Sequence, residues 1–208
     1  MEFLNPLTWD WIAFLKIAFG AGIGTAAVQG TLALWRDARV KKDHAAYLAL
    51  RVAVLLESYA SESCDFIFEN ASAHHGPDEQ YPEWNAFLPT LPNYPDDPEG
   101  WRAMNRTLVA RRLNLPNKIH GSQGVIRSVV EYQTGDDLIN ALDEHAAARG
   151  VEAWEIAAAL RAEYGLEAAE MIFDYAAVLN NSLKIAIAER VERERQMDEM
   201  PKFMTAPS

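Results

Sequence analysis

Between Trp11 and Trp35 the chain carries one charged side chain, Lys16, and tryptophan closes the stretch at both ends. As a helix rising about 1.5 Å per residue, the stretch runs roughly 36 Å, enough to cross a ~30 Å hydrocarbon core with its interfaces. Trp9 and Trp11 at one end and Trp35 at the other suit the headgroup level, where the amphipathic indole ring is favoured. Lys16 lies near one end, where its four-carbon stem can carry the ammonium back to the interface. Gln29, near the other end, can reach headgroup water or bond to a neighbouring helix. The competing reading is a long helix inside a soluble bundle.

Arg36, Arg39, Lys41 and Lys42 follow at once, as on the cytoplasmic flank of a membrane helix. A cleaved signal peptide would begin with basic residues. Here the first ten hold Glu2 and Asp10 and neither Lys nor Arg. The sequence therefore predicts a short segment 1–10 outside, a transmembrane anchor over 11–35, and all that follows in the cytosol. The membrane is an inner (plasma) membrane of bacterial type.

Within the anchor, Gly20 and Gly24 share one helix face with Ala27 and Thr31. Gly22, Ala26 and Gly30 share a nearly opposite face. Small residues four apart let backbones approach closely, so these faces are candidate helix-packing surfaces for a homo-oligomer or a partner. Gly22-x-Gly24-x-x-Ala27 also fits a loosened dinucleotide fingerprint, but that motif needs a βαβ unit and no second parallel strand follows.

With 19 Lys and Arg against 30 Asp and Glu, the net charge of −11 disfavours phosphate backbones, so no nucleic-acid partner is expected. The basic cluster after Trp35 instead suits anionic lipid headgroups. Cys64 is the one cysteine, which excludes an intrachain disulfide, suits a reducing compartment and reads as a small core residue.

After the anchor, 36–197 reads as one all-α cytoplasmic bundle and 198–208 as a flexible tail. Leu48, Val52, Leu55, Tyr59 and Phe66 form the stripe of a long helix over 37–73 that can continue the anchor without a break. Prolines at 77, 82, 89, 92, 95 and 98 forbid helix across 74–100, yet aromatic residues are interleaved among them. A disordered linker would lack these, so the expectation is an ordered loop. Its Trp84, Phe87, Tyr94 and Trp101 are the candidate partner-contact residues. Shorter helices are expected over 100–113, from Pro116 to 133, over 136–150 and over 151–164. The last long helix is expected over 166–197, with Ala169, Ile172, Ala176, Leu179, Leu183 and Ile187 as its stripe. The two long helices, 37–73 and 166–197, are expected to pack antiparallel.

Catalytic and metal signatures are weak. Di-iron sites need Glu-x-x-His, and no histidine here has a carboxylate three residues before it. His120-Gly121-Ser122-Gln123-Gly124 has half of a nucleophile elbow in helical surroundings. Asp143-Glu144-His145, the face Glu62, Asp65, Glu69 with nearby Glu57, and His74-His75 are the remaining groupings. Each is better explained as a polar or solvated feature. Asn180-Asn181 is expected to set bundle register. No cofactor or metal is expected and no reaction is assignable. The functional expectation is protein–protein interaction or scaffolding at a membrane; the rival is a membrane-tethered enzyme with carboxylates inside the bundle.

Overall fold

The computed structural model describes the backbone of 11–74, 87–132, 135–170 and 172–199, and the side chains of 29–71, 87–131, 137–170 and 172–197. Every described element is helical: α1 Trp11–His74, α2 Pro98–Ala103, α3 Arg106–Tyr132, α4 Gly135–Tyr164 and α5 Tyr175–Glu199. The chain divides into two compact units, Met1–His44 and Ala45–Ser208.

In the first unit the backbone is helical from Trp11 onward and the side chains of 29–44 are exposed. The side chains of Gly20, Gly22, Gly24 and Ala26, like those of most of the expected anchor, lie outside the described residues. At Gly30 an added Cβ would meet nothing within 4 Å. Among the described residues no helix is long and apolar enough to cross a membrane. The helical backbone through 22–27 also removes the strand-and-turn that a dinucleotide fingerprint requires.

In the second unit α4 is the hub. Small residues along it (Ala146, Ala147, Gly150, Ala153, Ala157) are buried and let three neighbours approach. Polar pairs fix the direction of each neighbour. Glu57 of α1 meets Arg161, and Asn70 meets Asp143, so α1 runs antiparallel to α4. Arg111 and Lys118 of α3 meet Glu155 and Glu152, and Arg190 and Arg193 of α5 meet Glu144 and Asp137. Hence α1, α3 and α5 all oppose α4 and run parallel to one another. This corrects the expected antiparallel pairing of 37–73 with 166–197. Helices α3, α4 and α5 follow one another by short reversals, whereas a parallel α1 and α3 need a long return connection, which the Pro-rich segment supplies.

The helix expected over 100–113 is split at 104–105 into α2 and α3, and three further boundaries differ from the sequence expectation, each for a local reason. The expected break at 113–116 is absent. Helix α3 starts where the Asn105 side chain accepts from the Thr107 N–H at 2.9 Å. It continues through Pro116 because Leu108, Leu115, Ile119, Ser122 and Ile126 keep one inward stripe across it. Pro116 is exposed, so the missing donor falls on the solvent side. The expected stop at Gly150 is a packing position instead: a Cβ there would lie 3.0 Å from Leu179 Cδ1 and from Ser63 Cβ. Finally, α4 ends at Gly165, whose φ of 62° is accompanied by the Leu166 N–H bonding to the Arg161 carbonyl at 2.9 Å. Asp174 then caps the Ala177 N–H at 2.9 Å, so α5 begins at Tyr175 and not at 166. Ile172, expected in the α5 stripe, is fully exposed. Asn180 donates to the Ala176 carbonyl of its own helix at 2.8 Å and sets no register.

Candidate functional site

The segment 87–97 takes neither helix nor strand, yet its burial is regular. Leu88, Leu91 and Tyr94 turn inward, while Phe87, Thr90, Asn93 and Asp96 are exposed. Pro89, Pro92, Pro95 and Pro98 occupy the third register. A repeat of three is that of polyproline II. The segment crosses α3 from its later to its earlier turns. The Leu88 N–H donates to Gln123 Oε1 at 2.9 Å, Arg127 lies 5.8 Å over the Phe87 ring, and Arg112 lies under Tyr94. Polyproline II covers about 22 Å in seven residues, and fifteen helical residues rise about 22 Å, so the chain from 87 to 94 is fully drawn out along α3.

At the strap's end the Arg112 guanidinium is held between two rings, 3.6 Å from the Tyr94 centroid and 3.9 Å from that of Trp101. The rings meet edge-on at 6.3 Å. Trp101 Nε1 donates to the Pro95 carbonyl at 3.0 Å, and Asp97 caps α2 through the Gly100 N–H at 2.9 Å. A Cβ on Gly100 would come within 2.9 Å of Leu48 on α1, so α2 sits close against the first core cluster. Burial pushes the Tyr94 hydroxyl up to about 12 and draws the Arg112 guanidinium down. Tyr94 Oη and Arg112 Nε are buried and without hydrogen-bond partners among the described residues.

The four candidate contact residues thus separate. Tyr94 and Trp101 are half-buried parts of the clasp, Phe87 is exposed, and Trp84 lies outside the described residues. The triplet repeat Leu-Pro-Thr, Leu-Pro-Asn, Tyr-Pro-Asp at 88–96 is a signal that would have revealed the inward face.

A second feature is a groove of about 410 Å³ between α3, α4 and α5. Val125, Val129 and Met197 line its apolar side, and Glu144, His145 and Arg190 its polar side. Burial draws the His145 imidazole down from its ordinary value, against the pull of Glu144. Asp143 is pushed up to about 6, chiefly by burial and despite a 3.1 Å hydrogen bond from Asn70. Residues two apart on a helix project about 200° from each other, so Asp143 turns to α1 while His145 turns to the groove. The three residues Asp143-Glu144-His145 therefore do not converge on one reacting atom.

The other sequence groupings disperse as well. Glu57 is buried in a two-pronged pair with Arg161, at 2.6 and 2.8 Å, while Glu62, Asp65 and Glu69 are exposed. Among the described residues no group of three or more His, Cys, Asp or Glu is placed to hold a metal ion. His120 and Gly121 lie mid-helix on the exposed side of α3, away from any turn. Cys64 is buried, and burial pushes its thiol up. The side chains of His74 and His75 lie outside the described residues. Comparison with protein-family models, with curated proteins and with solved structures finds no match to this chain.

Proposed function

We propose that this chain is a single-pass membrane protein whose cytoplasmic helical bundle acts by protein–protein interaction or scaffolding. The observation that carries the reading is the tryptophan-bounded, nearly uncharged stretch Trp11–Trp35 with its basic flank. Additional support comes from α1, the helix that contains this stretch and whose later turns contribute Leu48, Val52 and Leu56 to the bundle core. In this reading the N-terminus is outside, the bundle is cytoplasmic at the inner membrane, and the basic cluster rests on anionic headgroups. Gly20 and Gly24, or Gly22, Ala26 and Gly30, pack the anchor against a partner or a second copy. Phe87, with Trp84, forms the partner contact, while Tyr94 and Trp101 hold the strap.

Alkaline carbonate extraction of the full-length chain tests the anchor. Retention in the membrane pellet is expected, and release into the supernatant overturns the reading. For the interaction, Phe87→Ala is expected to reduce co-purification of a partner without changing the thermal melt. The rival, a tethered enzyme using carboxylates, gains nothing from Asp143 and His145, which face different neighbours.

A further inference from the structure

We infer that the second unit holds a small-anion site beneath the strap, where Tyr59 of α1, Tyr94 of the strap and Arg112 of α3 surround one part of the core. Tyr59 is among the largest fully buried side chains, at 0 % exposure. It belongs to the core cluster on which Tyr94 and Trp101 pack, and Arg112 lies 3.6 Å from the Tyr94 ring centroid. Tyr59 Oη, Tyr94 Oη and Arg112 Nε are all buried with no hydrogen-bond partner among the described residues. One buried polar atom left unpaired is costly, and three around one core cluster point to a ligand that serves them.

The chemistry of these atoms identifies the ligand. An arginine Nε–H can only donate. Burial pushes the Tyr94 hydroxyl up to about 12 and the Tyr59 hydroxyl further, so both keep their protons at neutral pH and can donate as well. The ligand is therefore an acceptor, and its charge follows from Arg112. Arg111, Arg149, Arg161, Arg190 and Arg193 each meet a carboxylate. Arg112 meets none among the described residues, although the chain carries 30 Asp and Glu. The Tyr94 and Trp101 ring faces attract its charge, but neither offers a lone pair to the Nε–H. A water would leave that charge uncompensated, whereas an anion supplies acceptor and countercharge together.

The surrounding charges favour the same sign. Arg149 of α4 acts on Tyr59, and its Nε is a further buried donor without a partner among the described residues. The Glu62 carboxylate also acts on Tyr59, but it is exposed to solvent and accepts from Ser58 at 3.1 Å. Ser63, next to Tyr59, gives its proton to the Tyr59 carbonyl at 2.8 Å. Enclosure sets the size: with Tyr59 fully buried and the strap packed over it, a halide-sized ion fits and a phosphate ester or a peptide does not. Such an ion bridges α1, the strap and α3, so its binding tightens the strap on the bundle.

The test follows the full-length chain in sodium chloride and in sodium gluconate at equal ionic strength, gluconate being too large for the site. The wild-type chain is expected to melt higher in chloride, with a saturating concentration dependence, and to exchange the amides of 87–97 more slowly there. Equal melts in the two salts overturn the proposal. Tyr94→Phe keeps the ring over Arg112 and removes one donor; Tyr59→Phe removes another. Each is expected to weaken the apparent chloride affinity about tenfold while melting no lower than wild type in gluconate, because the hydroxyl it loses has no partner there. A chloride effect unchanged in either variant assigns that effect to the surface and overturns the site. A lower melt of both variants in gluconate means that the hydroxyls are satisfied within the protein, which overturns it too. In crystals soaked with sodium bromide, an anomalous peak within hydrogen-bond reach of Arg112 Nε is expected, and a water in that place overturns the proposal.

Discussion

At the scale of single residues, charge and space decide more than identity. Asp143 holds its proton more tightly in the folded chain, where its value is about 6, than at its ordinary 3.8. Its contribution therefore favours folding at low pH and is lost as pH rises from about 4 through about 6. His145 has the opposite sign, since its lowered value makes acidification favour the unfolded chain. Asp143→Asn keeps an acceptor for Asn70 and removes the buried charge. It is expected to raise stability near neutral pH by about 1–2 kcal/mol, allowing for its solvated side, and to leave a melt that falls on acidification. Thermal melts across pH 4–8 check this. The glycines divide in the same way. At Gly121 and Gly124 an added Cβ meets nothing within 4 Å, so Gly→Ala is expected to stabilise by about 0.5–1 kcal/mol each. Gly150→Ala must displace Leu179 and Ser63 and is expected to cost about 1–3 kcal/mol in denaturant unfolding. In the sequence Gly150 reads as a helix end, and Gly121 and Gly124 as part of half a nucleophile elbow. Only Gly150 has a reason to be glycine, and that reason sits on two other helices.

At the scale of elements, the strap is the part whose composition was legible and whose role was not. Prolines forbade helix and aromatics argued for order over 74–100; the described part, 87–97, is neither helix nor strand, but α2 begins at Pro98, inside the expected loop, because proline is tolerated in a helix's first turn. The inward direction of Tyr94 is invisible to the strand and helix periods of two and 3.6, because the segment repeats every three. Trp101→Ala removes a ring from Arg112 and the bond to the Pro95 carbonyl, and is expected to cost about 3 kcal/mol. Phe87→Ala, at an exposed position, should stay within about 0.5 kcal/mol. Equal losses from the two changes would refute the division of roles along the strap. The helix over 37–73 was readable from its stripe, the last helix only in part, since Ala169 and Ile172 precede α5 and Ile187 is exposed, and two expected interruptions are absent. Pro116 and Gly150 are breakers by propensity, and in each case a buried stripe running past the position outweighed it. The side chains that cap the first turns of α3 and α5, those of Asn105 and Asp174, were not read as helix starts, and the sequence placed both starts too early.

At the scale of the molecule, an all-helical bundle was readable, but the directions of its helices were not, because they depend on pairs far apart in sequence such as Glu57 with Arg161. Since α4 is flanked by three helices, its amides from about 146 to 160 are expected to exchange slowest with deuterium, and those of 36–44, where side chains are exposed, far faster. Slow exchange in 36–44 would contradict this order.

The return path between α1 and α3 also governs how the polypeptide is made. On the ribosome α1 is finished early, but the residues that share a core with its Leu48, Val52 and Leu56, among them Leu108 and Leu115 of α3 and Ile156 and Leu160 of α4, all come later. Through that interval the nascent chain presents a sticky, unsheltered flank. Holding by a chaperone, or delayed release from the exit tunnel, is the natural remedy during translation.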